Sequence, residues 1–535
     1  MIASRVDARQ FSLLLSICFC LFALSSCSKH PGPLKDTIRI NIGNEPPSLD
    51  PHIGADTPSF EVVSNLLVGL TQFGKNLDCV PGCAQSWDVL DGGKRYIFHL
   101  NPAVKWSDGK PVTAADFQYS WTRLLDPATA APYAFFLYDI ENGLEYNTGK
   151  LKDASKLGVR CIDDKTLEVL LTKPATYFIN LTALCATFPL RRDVIEKYGN
   201  RWTDPENMVV NGPFLLKSWK HEYKLELEAN PTYFEGPSKI KRLQIFMVPE
   251  QSTAFALYLS DQLDFLDNSS FPTPEVANYK DSPEYQNVAL LKSHYIGFNV
   301  HKKPFDDKRV RLAVSMALDR RIFPLILRRQ EKPTFTFTPN GLMGFTPDDP
   351  PRYDPETARR LLAEAGYPDG KGFPRVEVLY PSREDARLVM EAIQDQLKRT
   401  LHISISLANQ EFKVYMNSLH RDPPAMFQGN WGADFPDPET FAGVFVSHNA
   451  NNHTLWNNPE YDRLVSLAEG EQDPTRRIQL YEKADHLLCR EEAAVAPTYQ
   501  GTENIMIKPW VHGLVPNRID LMYFKDASVD NNWHS

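Results

Sequence analysis

Hydrophobic and polar positions along the chain repeat with two periods, and the shorter period predicts strands. Several segments alternate or concentrate β-branched and aromatic residues, which is typical of strands that bury one or both faces. These segments are TIRINIG (37–43), KRYIFHL (94–100), TLEVLL (166–171), YKLELEAN (223–230), LQIFMV (243–248), YIGFNV (295–300), RVEVLY (375–380) and HISISLANQ (402–410). The pattern therefore predicts strands from near residue 37 to near residue 410.

The longer period predicts helices between these strands. The helical segments are 306–323, 354–367, 384–400 and 459–488. In the second of them, Asp354 is placed to cap the helix, Pro355 suits the first helical position and Gly366 suits the end. In the first, one face is apolar: Val310, Ala313, Val314 and Ala317. Strands and helices mixed without strict βαβ regularity predict an α/β or α+β fold.

The N-terminal residues predict export. Two arginines precede the apolar run 11–24, which is shorter than a membrane-spanning helix and typical of a signal peptide. The run ends in LSSC (24–27), which is similar to the bacterial lipobox, in which the cysteine becomes lipidated and begins the mature chain. We predict a lipoprotein signal peptide over residues 1–26 and a lipid anchor at Cys27. A plain signal peptide followed by a chance cysteine is the alternative.

Net charge excludes some classes of partner. The chain of 535 residues has a formal charge of −9, and residues 1–26 contain two Arg and one Asp, so the mature chain carries −9 − (+1) = −10. This acidic balance argues against nucleic acid and against a polybasic membrane-binding face. About 500 mature residues are too many to pack around one hydrophobic core, so we expect two or three structural units.

The cysteines do not form a disulfide framework. After the signal sequence they are Cys27, Cys79, Cys83, Cys161, Cys185 and Cys489. Without the lipidated cysteine their number is odd and their spacing irregular. A bridge between Cys79 and Cys83 across Pro81-Gly82 stays open as an alternative, and no metal site or other cofactor is expected.

No catalytic constellation is visible in the sequence. The nucleophile elbow, the zinc helix and the phosphate-loop motifs are all missing, and the histidines form no pair at helical spacing. We therefore predict a protein that is not an enzyme. An exported hydrolase remains the alternative, because a catalytic triad assembles from distant segments.

The stretch NWGADF (430–435) places one carboxylate, Asp434, between two aromatic residues. A carboxylate there loses hydration, and this costs free energy unless a cation or several N–H groups compensate. Two interpretations follow: Asp434 caps a turn before DPET, or its positive partner arrives with a ligand.

The block VKWSDGKPVTAADFQYSWTRLLDP (104–127) resembles the signature of the extracytoplasmic solute-binding proteins that serve oligopeptide and dipeptide ABC importers. The resemblance extends in order over about residues 35–515. Further blocks that carry it are NEPPSLDPH (44–52), VVNGPFLLKSW (209–219), NPTYFEG (230–236), PFDDKRVRLAVSMALDR (304–320), ARRLLAEAGY (358–367) and MIKPWVHG (506–513).

This resemblance implies an α/β, two-lobed fold of the periplasmic-binding-protein type (class II, cluster C), with an extra domain inserted in lobe I. Lobe I is expected over 35–67, 190–295 and 500–535, the additional domain over 68–189, and lobe II over 296–499. The implied protein is a monomeric lipoprotein on the periplasmic side, which captures short peptides between its lobes and delivers them to ABC permease subunits in the inner membrane.

The resemblance also implies site residues. Asp434 matches the carboxylate that pairs with the α-ammonium group of a peptide, which is cationic near neutral pH. The backbone of Asn430, Trp431 and Gly432 is expected to bond to the peptide main chain, as an added strand does. Other positions that match the cleft lining are Thr57, Tyr133, Asn268, Tyr295 and Phe412.

Two departures from the family pattern leave the cargo open. The basic residues that receive the peptide carboxylate in relatives fall on Ala386, Leu419 and Gln428, although Arg383, Arg387 and Arg421 lie nearby. The family's disulfide is lost, because its positions fall on Lys292 and Gly432. Dipeptides, cell-wall peptides, nickel chelates and haem therefore remain alternative ligands.

Overall fold

The computed structural model describes residues 32–54, 56–346, 353–447 and 449–533. Its strands, in chain order, are β1 (Thr37–Asn41), β2 (Thr71–Phe73), β3 (Cys79–Pro81), β4 (Ala84–Leu90), β5 (Arg95–Leu100), β6 (Val159–Asp163), β7 (Thr166–Leu170), β8 (Phe214–Lys220), β9 (Lys224–Ala229), β10 (Arg242–Phe246), β11 (Phe265–Leu266), β12 (Tyr285–Phe298), β13 (Lys332–Pro333), β14 (Val376–Pro381), β15 (Ile405–Gln410), β16 (Met426–Gly432), β17 (Val495–Ile507), β18 (Val511–His512) and β19 (Ser528–Val529). Each predicted strand segment overlaps one of these strands.

Helices lie between the strands and cover the faces of the sheets. Their bounds are Thr57–Leu66, Ala114–Leu125, Gly143–Asn147, Phe178–Leu181, Arg192–Tyr198, Gln251–Leu259, Val276–Tyr279, Lys308–Met316, Ile322–Leu327, Pro355–Glu364, Glu384–Leu401, Phe412–Arg421, Glu439–Ala442, Pro459–Gly470 and Pro474–His486. No helix among the described residues is long and apolar enough to cross a membrane.

Capping residues that are visible in the sequence explain the starts of several helices. The Asp354 side chain accepts a hydrogen bond from the Thr357 N–H group, and Pro355 begins the helix as predicted. The prediction of one helix over 459–488 was wrong. The chain leaves the first helix at Gly470 and starts a second at Pro474, because proline has no N–H group for the helical ladder and Asp473 caps the new helix.

One mixed sheet of eleven strands runs through both lobes. Its order is β15-β14-β16-β12-β17-β11-β1-β10-β9-β8, with β13 paired to β17. β12 and β17 are long antiparallel strands in the middle of this order, and their pairing shifts register between Ala289 and Ser293 and again between His294 and Tyr295. These two strands therefore join a first lobe, built on β8–β11 and β1, to a second lobe, built on β14–β16.

A separate four-stranded antiparallel sheet lies within the segment between the strands of the first lobe. Its order is β4-β5-β7-β6. The tryptophan of the WSDG block is buried beside it, and the Trp106 indole N–H donates to Asp116, which also caps the following helix through Thr113. These contacts show that the block has a structural role in this unit.

The second lobe has apolar layers on both faces of its strands. The helices Lys308–Met316, Pro355–Glu364 and Glu384–Leu401 contribute to one layer, and the helices Pro459–Gly470 and Pro474–His486 contribute to the other. The four apolar residues predicted to share a face near 310 are all fully buried. The two-lobed α/β fold is thus confirmed.

The predictions of an N-terminal lipoprotein signal and of a cysteine bridge have different outcomes. The signal peptide and Cys27 lie outside the described residues. Cys79 and Cys83 are free thiols with separate partners: Cys79 Sγ donates to Asn180 Oδ1 at 3.1 Å, and Cys83 Sγ donates to the Val68 carbonyl at 3.3 Å. The structure therefore has no bridge between them.

Candidate functional site

Three neighbouring cavities lie near the boundary between the lobes. Residues of both lobes line the first and the third, and residues of the first lobe alone line the second. The first has a volume of about 150 Å³ and contains Asp434, the second about 240 Å³, and the third about 190 Å³. Thr57 and Asp520 line both the first and the second cavity. Asn268, Glu503 and Asp520 line both the second and the third. The shared lining residues show that the three cavities adjoin one another, and together they are called the cleft.

The first cavity brings together all parts of the molecule around Asp434. The second lobe contributes Ala433 and Asp434, and the last residues of the first lobe contribute Ile519, Asp520 and Leu521. The inserted unit contributes aromatic walls. The rings of Tyr133 and Phe136 are stacked there with centroids 5.1 Å apart. This is the mixture of apolar walls and few polar groups that suits a small-molecule site.

Asp434 has one polar side-chain partner, and that partner is neutral. The Thr440 hydroxyl donates to Asp434 Oδ2 at 3.4 Å, and the Asp434 N–H donates to the same hydroxyl oxygen at 3.2 Å. No Lys or Arg lines the first cavity, and Asp434 has no ion pair with any described residue. Loss of hydration raises the pKa of Asp434 to about 6. No cationic side chain among the described residues therefore compensates the charge of this carboxylate.

A buried ion pair fixes the loop that carries Asp434. Arg477 donates to both oxygens of Asp437, at 2.8 and 2.7 Å, and both side chains are almost fully buried. Such bidentate pairs are geometrically specific. Asp437 also accepts from the Glu439 N–H and so begins the short helix that contains Thr440. The position of Asp434 thus follows from contacts made deep in the second lobe.

The strand before Asp434 has one partly free edge. β16 pairs along its length with β12, but its other edge pairs with β14 only through Met426 and Phe427. Asn430 and Gly432 are exposed and Trp431 is half-buried. The Trp431 indole N–H is buried without a hydrogen-bond partner among the described residues. This edge can accept an additional strand.

The second cavity is strongly acidic. Four carboxylates line it, and no Lys or Arg does: Glu61, Asp267, Glu503 and Asp520. Asn268 also lines it; its backbone N–H and its side-chain amide donate to Glu503 at 2.5 and 2.9 Å.

The third cavity has mixed charge with several cations. Lys292, Arg329 and Arg383 line it, as do Glu331 and Asp385. Arg383 forms a bidentate pair with Asp385, whereas Lys292 has no ion pair within the described ranges. Of the three arginines that the sequence suggested as substitutes for the family's basic residues, Arg383 therefore reaches the cleft.

The two other arginines do not line these cavities. Arg387 pairs with Glu384 and Glu391 on an exposed helix face, and Arg421 is exposed at the end of a helix. The three positions that carry basic residues in relatives are buried here as neutral side chains: Ala386, Leu419 and Gln428. The cationic groups of this cleft thus come from other positions.

The structure brings four predicted residues to the cavities and leaves others elsewhere. Thr57, Tyr133, Asn268 and Asp434 line them. Tyr295 does not: it is 4% exposed, and its ring packs in the core of the second lobe at 5.3 Å from Phe337. Tyr295 therefore lies in the core and not at the cleft, in contrast to the expectation from the resemblance, because its bulky ring faces inward from β12.

Phe412 begins a helix and is 58% exposed, and it lines none of the three cavities. Sequence reasoning missed the acidic residues of the second cavity and Lys292 as a cleft residue. The acidic residues come from three distant segments and carry no local pattern. For Lys292 a signal existed, since a charged residue replaces the cysteine that the resemblance implies.

The described residues offer no obvious metal site. No group of three or more His, Cys, Asp or Glu side chains among them is close enough to hold a metal ion. No three of the four carboxylates of the second cavity are therefore close enough to hold one ion.

The chain is similar over most of its length to several known proteins. Residues 78–453 match the group described as bacterial extracellular solute-binding proteins, family 5 Middle. The chain is 35% identical over 502 residues to the periplasmic murein peptide-binding protein MppA of Escherichia coli (strain K12), which covers 91% of this chain and 92% of that protein.

It is also 33% identical over 507 residues to the periplasmic oligopeptide-binding protein OppA of Salmonella typhimurium, covering 92% of this chain and 93% of that protein. Among solved structures, Haemophilus influenzae OppA in complex with RPPGFSPFR superposes with a TM-score of 0.76 and 32% identity. That match covers 93% of this chain and 99% of the other.

Proposed function

Because the chain belongs to the bacterial extracellular solute-binding proteins of family 5, we propose that it captures short peptides between its lobes for an ABC importer. The single observation that carries this proposal is the unpaired carboxylate of Asp434 in an aromatic cavity. The free α-ammonium group of a peptide is a compact cation near neutral pH. It supplies the charge that no described side chain supplies to Asp434.

The free edge of β16 supports the same proposal. A peptide that places its ammonium group at Asp434 runs beside Asn430 and Gly432, where backbone groups are exposed. Main-chain hydrogen bonds of this kind bind peptides of different sequence, because every residue offers the same backbone groups. Thr57, Tyr133 and Asn268 complete the wall of the cleft.

The names of the relatives support two peptide classes. One relative is a murein peptide-binding protein and another an oligopeptide-binding protein. We carry linear oligopeptides as the first candidate and cell-wall peptides as the second. Dipeptides, nickel chelates and haem are alternatives of the same fold that no contact in this cleft favours.

The cellular context is part of the proposal. We infer that residues 1–26 are a lipoprotein signal peptide and that Cys27 carries the lipid anchor on the periplasmic side. We also propose a monomer that works with permease subunits in the inner membrane and does not cleave its cargo. Lobe I over 35–67, 190–295 and 500–535, the additional domain over 68–189, and lobe II over 296–499 remain the proposed division.

Native mass spectrometry of the mature protein, followed by calorimetric titration, tests the proposal. We expect peptides to co-purify in the cleft, and a stripped sample to bind tri- and tetrapeptides with recovery of intact peptide afterwards. No heat with any peptide, together with binding of haem or a nickel chelate, contradicts the proposal. Fragments of the added peptide contradict the non-catalytic part.

A further inference from the structure

The second cavity contains more negative charge than the ligand's α-ammonium group explains. Asp434 is outside it, and yet Glu61, Asp267, Glu503 and Asp520 all line it. We call this cavity, defined by those four residues, the acidic compartment. Its lining includes no Lys or Arg, and Lys292 lies on the wall of the next cavity.

Two of the four carboxylates are already satisfied by hydrogen bonds. Asp267 accepts from the Ser269 N–H at 2.9 Å and from its hydroxyl at 2.5 Å. Glu503 accepts from the backbone and side-chain amides of Asn268. These two groups are therefore positioned by the first lobe and by β17 without any ligand.

Glu61 is different, because it is buried and has no partner. It lies on the helix Thr57–Leu66, and the residue is only 6% exposed. Its carboxylate makes no hydrogen bond or ion pair with the residues that the structure describes. Burial and the charges of Asp267 and Asp520 raise the pKa of Glu61 well above its usual value. An uncompensated buried carboxylate is costly unless a cation joins it.

A metal ion does not fit these groups. Within the described ranges, no three acidic, His or Cys side chains come close enough to hold one ion. The cavity volume of about 240 Å³ instead suits the end of an organic side chain. Asp520, which is exposed and unpaired among the described residues, faces the same space from the other side.

The acidic compartment adjoins the Asp434 cavity. Thr57 and Asp520 form walls of both, so a ligand held at Asp434 reaches the compartment within a few residues. An extended peptide advances about 3.3 Å per residue, and its side chains point to alternate sides. The side chain of an early residue in such a peptide is therefore within reach of the wall that Thr57 and Asp520 share between the two cavities.

We propose that the acidic compartment binds the cationic side chain of the peptide, so that the protein prefers a basic residue at one position near the N-terminus. This inference rests on the proposed function, since it needs a peptide whose α-ammonium group lies at Asp434. Glu61 and Asp520 are the groups that recognise the side chain, and Asp267 and Glu503 add to the negative field.

Calorimetric titration with paired tripeptides tests this proposal. Lysine is placed at position one, two or three of an alanine tripeptide, and each peptide has a partner with norleucine, which has the same length without the ammonium group. We expect lysine to improve the dissociation constant by about tenfold or more at one position. Tenfold corresponds to about 1.4 kcal/mol.

Two variants assign the effect to the compartment. Glu61→Gln and Asp520→Asn should each reduce the ratio of the norleucine to the lysine dissociation constant to threefold or less. Asp520 is exposed, so Asp520→Asn should still fold and provides the test if Glu61→Gln unfolds. The matched control is Glu377→Gln on an exposed strand position outside the cleft, which should keep the full preference.

The outcomes separate this inference from the function on which it rests. No lysine preference at any position, or a preference that survives in both variants, overturns the inference. If norleucine peptides still bind and Asp434→Asn still weakens them, the proposed function stands. If no tripeptide of either kind binds, both fail.

Discussion

Lys292 and Gly432 lie directly opposite each other on the antiparallel strands β12 and β16. The sequence resemblance places the family's disulfide at these two positions, and the register of the structure agrees with that placement. A Cβ atom on Gly432 would contact Lys292 Cγ at 3.9 Å, so side chains at both positions have room to meet. From this position Lys292 lines the third cavity.

The register predicts that a bridge can be restored. The double variant Lys292→Cys/Gly432→Cys should form a disulfide on mild oxidation, since directly opposed strand positions bring two Cβ atoms within bridging range. Intact mass should fall by about two hydrogen masses, and each single variant should show no such loss. A reduced double variant under the same oxidant would contradict the register.

The Arg477–Asp437 pair should contribute strongly to stability. Arg477→Met leaves Asp437 buried and unpaired, which costs about 3–5 kcal/mol in comparable buried pairs. Urea unfolding measures this loss. Arg476→Met is the matched control, because Arg476 is 74% exposed and pairs with Glu471 only at 3.4 Å, so its removal should cost less than about 1 kcal/mol. Equal losses in both variants would contradict the account of the loop.

The raised pKa of Asp434 predicts a pH-dependent cost in the empty protein. The ordinary pKa of an aspartate side chain is 3.8, whereas the pKa of Asp434 is about 6, because burial disfavours the charged form. The protonated form stabilises the fold below pH 3.8, and this contribution disappears as the pH rises through about 6. We expect the free energy of unfolding, relative to Asp434→Asn, to fall by about 1–3 kcal/mol between about pH 4 and 7.

Urea unfolding of both proteins across this range measures the difference, and other titrating groups cancel in the subtraction. A difference that stays flat with pH would refute the environment assigned to Asp434. A saturating peptide should remove the cost, since its ammonium group favours the charged carboxylate.

Substitutions of Tyr295 and Tyr133 should have different effects, because Tyr295 lies in the core and Tyr133 lines the Asp434 cavity. Tyr295→Ala should lower the free energy of unfolding by about 3–5 kcal/mol, as expected for a large buried ring. Tyr295→Phe should leave the peptide dissociation constant within about twofold. Tyr133→Ala removes an aromatic wall beside Asp434 and should weaken binding by about tenfold. Weaker peptide binding by Tyr295→Phe would contradict this and would indicate that Tyr295 contacts the ligand.

The sequence predicts elements best where short-range chemistry decides them. Asp354 and Pro355 start a helix in the structure as the pattern indicates. β17 shows the limit: its segment VAPTYQGTENIMI is rich in polar residues, but all thirteen positions are buried. Its polar groups are satisfied by distant partners, as when Thr498 Oγ1 donates to the His294 carbonyl at 2.8 Å. No local pattern reveals such partners.

The site follows the same rule. Asp434 is detectable because a single acid between aromatic residues is a local anomaly, and the family resemblance then gives it a role. Glu61 and Glu503 are 442 positions apart in the sequence, and they line one cavity only because the first lobe is assembled from distant segments of the chain. Tyr295 matches a cleft position by alignment, but the alternation of side chains along β12 turns its ring into the core.

The most direct test of the central claim is a thermodynamic cycle between Asp434 and the peptide N-terminus. Calorimetry measures four dissociation constants: wild type and Asp434→Asn, each with a free and an N-acetylated tripeptide. Asp281→Asn, an exposed acid outside the cleft, is the control for the change of charge.

We predict that Asp434→Asn weakens binding of the free peptide by more than about 2 kcal/mol, the scale for breaking a buried charge pair. Acetylation of the peptide should weaken its binding to the wild type by a similar amount. In Asp434→Asn, acetylation should cause little further loss of binding. An Asp434→Asn dissociation constant near that of the wild type, or losses that simply add, would contradict the pairing of Asp434 with the peptide ammonium group.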